Sequence, residues 1–338
     1  MKIIYFYNEE WEKEYMGKAL AEHEVVFYQG TIEEHASVSG PNAEVLSVFV
    51  NSKINSEVLA RFPKLKYIAT RSTGFDHIDL ASTSGKGIVV SNVPTYGENT
   101  VAEFAFALIL ALSRKVPDAY DRVRREGNFS QNGLRGFDLL GKTLGVVGTG
   151  HIGRFSISIA KGFGMNVLAF DVKQDETYAK EAGFSYVSLD ELLAGSDIVT
   201  LHAPYNEHTH HMLNHENMSQ IKKGAYLINT ARGGLVETNA LVSALKDGTL
   251  AGAGLDVFEE EGYFINDDTS LLLAEHPEAE RLKTILENQY LIDHPNVIMT
   301  PHNAFQTQEA LERILQTTTE NITAFANGAP ANLVVIKK

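Results

Sequence analysis

The sequence of 338 residues predicts an α/β protein with two parallel-sheet domains. Two runs of short apolar strands alternating with helices, one in 2–94 and one starting at residue 142, predict parallel sheets covered by helices. The glycine-rich loop GVVGTGHIGR at 145–154 predicts that the second domain binds a dinucleotide. Because this loop lies almost halfway along the chain, another domain is built before it.

The first run begins with a strand and a helix and continues with further strands. The segments predicted as strands are KIIYFY (2–7), EVVFY (24–28), LKYIATRS (65–72) and GIVVSNVP (87–94), and the segment predicted as the first helix is 8–23. A long helix is predicted at 97–116. Asn99 or Thr100 is its expected N-cap, and Glu103 completes a capping box.

The second run supplies the strands of a second sheet. They are TLGVV (143–147), NVLAFD (166–171), IVTLHA (198–203), AYLIN (225–229), AGLDV (253–257) and VIMTPH (297–302). A helix is predicted at 309–328, and the tail NLVV at 332–335 as a short strand or extended segment. Before the last strand, Leu282, Ile285 and Leu286 form the expected buried stripe of a helix.

Composition and charge narrow the class of protein. Hydrophobic residues make up 44% and charged residues 21% of the chain, as in ordinary globular proteins. The net charge of -14, with only one short basic segment at 122–127, disfavours nucleic acid as a partner. The absence of cysteine excludes disulfides and thiolate chemistry. No apolar segment is long enough for a bilayer and the first residues do not match a signal peptide, so we expect a soluble cytoplasmic protein.

Three glycines form the phosphate-binding pattern G-x-G-x-x-G between a predicted strand and a predicted helix. In this pattern Gly148 makes the tight turn, Gly150 lets the backbone approach a pyrophosphate, and Gly153 lets the helix pack closely on the strand. Asp171 ends the next predicted strand, where an acid binds the ribose hydroxyls and repels a 2′-phosphate. The predicted cofactor is therefore NAD rather than NADP.

Three further segments carry side chains suited to the reduction of a 2-oxo acid. Arg232 offers a planar fork of donors for a carboxylate. His302 can exchange a proton with the carbonyl or hydroxyl oxygen, and Glu261 can fix the imidazole tautomer. Each residue alone also fits a structural role, as a loop salt bridge, a structural histidine or a solvated acid. Together, behind successive strands where α/β sheets bind ligands, they favour one catalytic site.

Seven segments together resemble the family of D-isomer-specific 2-hydroxyacid dehydrogenases. They are STGFDHIDL (72–80), NVPTYGENTVAE (92–103), GVVGTGHIG (145–153), LHAP (201–204), INTARGG (228–234), GLDVFEEE (254–261) and TPHNAF (300–305). The resemblance implies a flavodoxin-like catalytic domain, 1–99 and 302–338, interrupted by a Rossmann NAD-binding domain, 100–301. Such an insertion explains the central position of the glycine loop. Within the family, the segment HNAFQTQEALERI resembles that of D-lactate dehydrogenases.

The resemblance also implies roles for individual residues. Arg232, Glu261 and His302 fall on the family's substrate-binding arginine, its glutamate and its acid/base histidine. The residues implied to bind substrate are Thr73, Gly74, Tyr96, Arg232 and Phe305. Those implied to bind NAD are Gly148, Gly150, His151, Ile152, Gly153, Asp171, His202, Ala203, Pro204, Thr209, Thr230, Ala231, Arg232, Asp256 and His302, with Asp256 meeting the nicotinamide amide. The helix from Thr100 onward resembles the one that builds the family's homodimer.

The predicted function is the NAD-dependent reduction of a small 2-oxo acid, with pyruvate favoured, to the D-2-hydroxy acid. The hand of the product rests on the resemblance alone. Hydroxypyruvate, glyoxylate or a branched 2-oxo acid remain alternative substrates, and a non-catalytic NAD-sensing corepressor-like protein is an alternative of another class. No metal site is predicted: His208, His210 and His211 include two adjacent residues and have no acid at a suitable spacing.

Overall fold

The computed structural model describes residues 1–261 and 278–334, and the chain divides into two compact units. Unit 1 comprises Met1–Gly97 and Thr307–Lys338, and unit 2 comprises Glu98–Gln306. The divisions therefore follow residues 97 and 306, whereas the sequence placed them after 99 and 301. Residues 302–306 stay with unit 2 because the carboxylate of Asp256 accepts hydrogen bonds from the backbone N–H groups of Asn303 and Ala304.

Unit 1 contains, within the described residues, a parallel sheet in the order β2-β1-β3-β4-β5, as in flavodoxin-like folds. Its strands are β1 (Lys2–Tyr7), β2 (Glu24–Gln29), β3 (Val45–Val48), β4 (Tyr67–Thr70) and β5 (Val89–Ser91). Its helices are α1 (Glu10–Ala19), α2 (Ser56–Ala60), α3 (Leu80–Gly85) and α12 (Gln308–Ala326). Both faces of β1 are buried, with Ile4 and Phe6 in one apolar cluster and Ile3 and Tyr5 in another. This double burial is characteristic of parallel sheets.

The C-terminal part of the chain belongs to the core of unit 1. Leu315 and Ile322 of α12 are buried in the same cluster as Ile3 and Tyr5, and the ring of Phe325 stacks on Tyr67 at 4.3 Å. After α12, Leu333 forms a single antiparallel bridge with Ser91. This bridge agrees with the predicted extended tail, whose last residue, 335, lies outside the described residues.

Unit 2 contains a larger parallel sheet, in which the described strands follow the order β12-β11-β10-β9-β6-β7-β8. The strands are β6 (Thr143–Val147), β7 (Asn166–Phe170), β8 (Ser185–Tyr186), β9 (Ile198–Leu201), β10 (Ala225–Asn229), β11 (Leu250–Leu255) and β12 (Val297–Met299). The order reverses at β6, as in doubly wound Rossmann sheets, and apolar clusters cover both faces. The two predicted parallel-sheet domains are confirmed.

Helices lie on both sides of this sheet in the described part of unit 2. They are α4 (Glu98–Arg114), α5 (Val116–Glu126), α6 (His151–Gly162), α7 (Glu176–Ala182), α8 (Leu189–Gly195), α9 (His215–Met218), α10 (Thr238–Lys246) and α11 (Ala279–Asp293). In the described residues no helix combines the length and the apolar character needed to cross a membrane.

Two predicted helix details were wrong. Helix α4 begins at Glu98, so Asn99 and Thr100 lie inside its first turn, and the Asn99 side chain donates to Glu103 at 3.0 Å instead of capping the backbone. Helix α11 buries Ile285 but leaves Leu282 and Leu286 exposed. Its buried row is Ile285, Asn288 and Leu291, because the polar Asn288 is held inside the protein by a hydrogen bond described below.

Candidate active site

The predicted site residues of unit 2 follow the carboxyl ends of its strands. Because all of these strands run parallel, their carboxyl ends lie along one edge of the sheet, which is where doubly wound folds bind ligands. In the order of the sheet, the residues that follow the strands are His302 after β12, Asp256 after β11, Thr230 and Arg232 after β10, His202 after β9, Gly148 after β6 and Asp171 after β7.

The turn after β6 requires glycine at two positions. Gly148 has a φ of 93°, and a Cβ there would lie 2.8 Å from the backbone nitrogen of Ala203 and from the carbonyl of His202. A Cβ on Gly153 would overlap the carbonyl oxygen of Gly148. Side chains at these positions would therefore push apart β6, α6 and the segment after β9. Both roles agree with those expected from the pattern G-x-G-x-x-G.

The N-terminus of α6 has the properties of an anion site. The helix begins at His151 after Gly150, which is exposed, and apart from Gly150 and its two chain neighbours no described residue has an atom within 4 Å of the place where a Cβ of Gly150 would be. A helix leaves its first backbone N–H groups without partners inside the helix, and these groups bind phosphates. His151 and Ile152 are the first residues of this turn. The open space and the uncapped N–H groups fit a pyrophosphate.

Asp171 lies at the carboxyl end of β7 beside the glycine loop. Its Oδ2 accepts hydrogen bonds from the backbone N–H of Thr149 at 2.6 Å and from the Thr149 hydroxyl at 3.0 Å, and its Oδ1 accepts from the N–H of Lys173 at 2.8 Å. Burial raises the pKa of this carboxyl, but the hydrogen bonds outweigh burial and leave its pKa below the ordinary value. Asp171 is thus a fixed anion that can accept hydrogen bonds from ribose hydroxyls. The supporting role of Thr149 was missed in the sequence.

The segment after β10 is shaped by a buried asparagine. Asn229 accepts a hydrogen bond from the N–H of Ala231 at 3.0 Å and donates to the carbonyl of Arg232 at 2.9 Å. Between them, the hydroxyl of Thr230 is buried and has no hydrogen-bond partner among the described residues. A buried hydroxyl without a partner at this edge fits a polar group of a bound cofactor. Asn229 was not among the predicted site residues, because a strand-terminal asparagine has no distinctive sequence pattern.

The segment after β9 forms a closed turn at the same edge. The backbone N–H of His202 donates to the carbonyl of Val147 at 2.7 Å, which places Ala203 and Pro204 beside the glycine loop. The hydroxyl of Thr209 donates to the carbonyl of Pro204 at 2.7 Å and accepts from the N–H of Asn206 at 2.8 Å. Cofactor contacts by Ala203, Pro204 and Thr209 stay predictions.

The predicted catalytic histidine and glutamate lie in direct contact. Nδ1 of His302 is 2.9 Å from Oε2 of Glu261, and Oε1 of Glu261 accepts a hydrogen bond from the N–H of Phe258 at 3.0 Å. Because a carboxylate only accepts, Nδ1 of His302 is the donor, and Nε2 is the nitrogen on the opposite side of the ring. The ring of Phe305 stands edge-on to that of His302, with 6.5 Å between centroids. The arrangement is an acid/base group oriented by a carboxylate.

Asp256 holds the loop that carries His302. Its side chain is fully buried; Oδ1 accepts from the Thr300 hydroxyl at 2.5 Å and from the N–H of Asn303 at 3.0 Å, and Oδ2 accepts from the N–H of Ala304 at 2.8 Å. Burial raises the pKa of this carboxyl, and the hydrogen bonds only partly oppose the increase. His302 has a φ of 51°, an uncommon backbone conformation that these contacts maintain. No local pattern around Asp256 indicates this supporting role.

Arg232 is brought close to the turn that bears Glu261. Its carbonyl is held by Asn229, and one terminal guanidinium nitrogen donates to the carbonyl of Ala231 at 2.7 Å. The next residue, Gly233, packs so tightly that a Cβ there would overlap the carbonyl group of Phe258. The chain segments of Arg232 and Glu261 are therefore in backbone contact, although they are distant in sequence.

The predicted substrate contacts of unit 1 lie beyond β4 and β5. The hydroxyl of Thr73 donates to the carbonyl of Val93 at 2.8 Å, and the carbonyl of Gly74 accepts from the Ser72 hydroxyl at 2.6 Å. The carbonyl of Tyr96 accepts a hydrogen bond from Nε of Arg313. Substrate binding by Thr73, Gly74 and Tyr96 stays a prediction.

The histidines of 206–212 have protein partners. Nε2 of His211 lies 2.7 Å from Oε1 of Glu259, and Nδ1 of His210 lies 3.1 Å from the Tyr205 hydroxyl. His208 is exposed beside Glu207. In the part of the chain that the structure describes, no cluster of three or more histidines and acids could hold a metal ion.

A Rossmann sheet whose edge combines a helix N-terminus open to phosphate, an acid suited to ribose, an arginine and a histidine–glutamate pair is typical of nicotinamide-dependent dehydrogenases. Comparison with known proteins agrees. Residues 106–304 match the family model "D-isomer specific 2-hydroxyacid dehydrogenase, NAD binding domain". The chain therefore belongs to the D-isomer-specific 2-hydroxyacid dehydrogenase family, and its cofactor is NAD.

Individual relatives differ in their named substrates. The 2-hydroxyacid dehydrogenase homolog 1 of Schizosaccharomyces pombe is 38% identical, over 100% of both chains. A glyoxylate reductase of Korarchaeum cryptofilum is 39% identical over 87% of this chain and 83% of its own. The D-lactate dehydrogenase of Aquifex aeolicus, whose crystal structure contains NAD and lactic acid, has a TM-score of 0.87 and 39% identity, and covers 99% of this chain and 100% of its own. These relatives establish the family without fixing the substrate.

The position of Asp171 predicts the choice between NADH and NADPH. In Asp171→Ser, loss of the carboxylate should raise the ratio of kcat/KM for NADPH to that for NADH by about 10- to 100-fold, because repulsion of the 2′-phosphate disappears. The matched control is Asp190→Ser, which removes an exposed acid from α8 and should leave the ratio unchanged. Equal ratios in the wild type and Asp171→Ser would contradict this role.

We predict that His202 makes the free energy of unfolding depend on pH. Burial lowers the pKa of its imidazole to about 4, and Nε2 faces the buried hydroxyls of Ser156 and Thr200 at 2.9 and 3.1 Å. The unfolded chain protonates this histidine near pH 6.5, whereas the folded chain does not until about pH 4. The contribution of His202 to the free energy of unfolding is therefore complete above pH 6.5 and is lost as the pH falls toward 4, by about 2 kcal/mol at pH 5.

The measurement compares urea unfolding of the apo protein and of His202→Gln at pH 7.5 and pH 5. The wild type should lose about 2 kcal/mol more than His202→Gln between the two pH values. Equal losses would show that the folded protein protonates His202 as readily as the unfolded chain does.

Proposed function

We propose that the protein reduces a small 2-oxo acid, with pyruvate favoured, to the D-2-hydroxy acid, with NADH as the reductant. The observation that carries this proposal is the hydrogen bond of 2.9 Å between His302 and Glu261, at the same sheet edge as Arg232 and the phosphate-binding loop. This pair combines a proton donor with a group that fixes its orientation. Arg232 adds a cation to a protein whose net charge is -14.

In the proposed reaction, different residues of the chain bind the substrate, transfer the proton and orient the proton donor. NADH supplies the hydride that adds to C2 of the substrate. Arg232 binds the substrate carboxylate with its planar donors. Nε2 of His302 gives its proton to the carbonyl oxygen, which becomes the hydroxyl, and takes it back in the reverse reaction. Glu261 accepts the hydrogen bond from Nδ1–H and so fixes the tautomer and the orientation of the His302 ring.

The choice of substrate rests on resemblance and relatives. The segment after His302 resembles that of D-lactate dehydrogenases, and the Aquifex aeolicus enzyme of that name covers almost the whole chain. The glyoxylate reductase from Korarchaeum cryptofilum supports glyoxylate as an alternative substrate. We assign Thr73 and Gly74 to the substrate carboxylate, and Tyr96 and Phe305 to the substrate side chain. The D hand of the product rests on the family.

The test is NADH consumption, followed at 340 nm, with pyruvate, phenylpyruvate, 2-oxoisocaproate, hydroxypyruvate and glyoxylate. In His302→Ala, kcat should fall by about 10²- to 10⁴-fold, because proton transfer to the carbonyl oxygen is lost. His208→Ala removes an exposed histidine and should retain full turnover. The ranking of the five acids identifies the substrate. Binding of NADH without reduction of any of them would favour a sensing protein over an enzyme.

We also propose that the protein is a homodimer. The resemblance assigns the dimer interface to α4. The apolar face of α4 is, however, buried inside unit 2, where it includes Ala105, Leu108 and Leu112. The neighbouring α5 carries an exposed apolar stripe of Val116, Tyr120 and Val123. Apolar side chains at this helical spacing are typical of an interface between subunits. We therefore place the dimer interface on this face of α5.

Val123→Glu should yield a monomer of 37.2 kDa, because a carboxylate would otherwise be buried in the dimer interface. Light scattering after size exclusion gives the mass. Arg125→Glu introduces the same carboxylate at an exposed position of the same helix and should remain dimeric. A wild-type chain that is monomeric at micromolar concentration would overturn the proposal.

A further inference from the structure

A second glutamate of the turn 258–261 has a set of partners that the proposed mechanism does not use. Oε1 of Glu259 lies 2.7 Å from Nε2 of His211. Oε2 of Glu259 accepts from the hydroxyl of Thr238 at 2.7 Å and from its backbone N–H at 3.1 Å. The next residue, Glu260, instead accepts from Nε of Arg281 at 2.8 Å, and Glu261 accepts from His302. Three consecutive acids therefore have three separate partners.

The backbone at Glu259 is fixed as firmly as its side chain. Its carbonyl oxygen accepts a hydrogen bond of 2.6 Å from the side chain of Asn288, which is fully buried in α11. Its backbone nitrogen lies against Gly233, where the space for a Cβ is already filled by Phe258 and Glu259. Glu259 thus connects the turn 258–261 to the segment after β10 and to α11.

His211 closes this connection from the other side. Its backbone N–H donates to the carbonyl of Gly234 at 2.8 Å, while its side chain contacts Glu259. Its φ is 48°, in the left-handed region, which a residue with a side chain retains only when surrounding contacts determine it. His211 is therefore held at one end by the segment 233–234 and at the other by the turn 258–261.

Together these contacts form a closed ring. It runs from His211 to Gly234 through the backbone, from Gly233 to Glu259 by close packing, and from Glu259 back to His211 through the side chains. Arg232 directly precedes this ring, and Glu261 follows Glu259 by two residues. The distance between the substrate-binding arginine and the carboxylate that orients His302 thus depends on the ring.

We propose that His211 and Glu259 are positioning residues, which fix the turn 258–261 against the segment 232–234 and so set the placement of Arg232 relative to the His302–Glu261 pair. The inference rests on the proposed function, because Arg232, Glu261 and His302 are the groups being placed. Neither positioning residue touches the reacting atoms. Their loss changes how substrate and proton donor meet, and leaves the phosphate-binding loop and Asp171, which follow β6 and β7, in place.

The first experiment compares Glu259→Ala with Glu260→Ala as the matched control from the same turn. In Glu259→Ala, kcat/KM for the 2-oxo acid should fall by about 10- to 100-fold, with a lower kcat and a higher KM, because small displacements of catalytic groups are costly. The Kd for NADH, measured by fluorescence titration, should change by no more than about 2-fold. The phosphate-binding loop and Asp171 are distant from Glu259 and should keep their contacts. Glu260→Ala should retain the wild-type kcat and KM.

The conservative variant Glu259→Gln separates positioning from general damage to the fold. Its amide oxygen can accept from Thr238, and its amide nitrogen can donate to the neutral ring of His211. Glu259→Gln should therefore recover most of the activity that Glu259→Ala loses. Should Glu259→Ala fail to fold, His211→Ala replaces it, since this variant leaves both hydrogen bonds from Thr238 to Glu259 intact. Wild-type kcat/KM in His211→Ala would then overturn the proposal.

A second measurement does not depend on turnover. NMR of the protein labelled in its histidines reports the tautomer of His302, whose signal is identified with His302→Gln. Wild type and Glu260→Ala should show His302 with its proton on Nδ1, whereas Glu259→Ala should shift the proton toward Nε2, because Glu261 is displaced.

The two measurements distinguish failure of the inference from failure of the proposed function. If the wild type reduces no 2-oxo acid, the function fails, while the tautomer of His302 still tests the positioning. If a folded Glu259→Ala keeps both the wild-type tautomer and the wild-type kcat/KM, the positioning role is refuted even though the enzyme is active.

Discussion

The parallel direction of the strands in unit 2 is the constraint on which the site depends. A strand that is buried on both faces carries mostly apolar side chains along its length, so most polar groups begin at its last residue or just beyond it. Neighbouring strands lie about 4.8 Å apart, which places these groups in a row at nearly fixed spacing. Asn229, Thr230 and Asp256 are all buried at this edge. The sheet therefore sets the positions from which the catalytic segments start.

Buried hydrogen bonds then hold the loops in place at the ends of the strands. Asp256 has the raised pKa of a buried carboxyl, yet it receives three hydrogen bonds from the loop 300–304. A buried carboxylate that accepts three hydrogen bonds restrains the groups that donate them. The loop 300–304, including His302 with its left-handed backbone, is therefore held in one conformation. Such preorganisation avoids rearrangement of the protein during the proton transfer.

Much of the fold could be predicted from the sequence, because it belongs to repeated or local patterns, and such patterns also indicated residues that the structure brings into contact, such as His302 and Glu261. The glycine loop, Asp171 and the alternating strands are examples. Strands β3 (Val45–Val48) and β8 (Ser185–Tyr186) were missed. The two residues of β8 are too few for a periodic pattern to show.

The supporting residues could not be predicted, because they act through contacts distant in sequence. Asp256 and Asn303 are separated by 47 positions, and Glu259 and His211 by 48. The buried row of α11 was wrongly assigned because Asn288 is polar, and only its distant bond to Glu259 explains why it lies inside. Local pattern therefore indicated the candidate site residues, whereas the contacts that hold them required the structure.

Gly233 has a consequence for how this enzyme could diverge. The backbone of Phe258 and Glu259 occupies the volume that even one methyl group would need there, so no side chain can be accommodated without moving the turn that bears Glu261. Gly162, near the end of α6, is the opposite case, with open space beside it. Variation among descendants of this protein should therefore be tolerated very unequally at its glycines. On the proposed assignment of Tyr96 and Phe305 to the substrate, new substrate preferences would arise by exchange of such side chains, while the backbone contact at Gly233 stays the same.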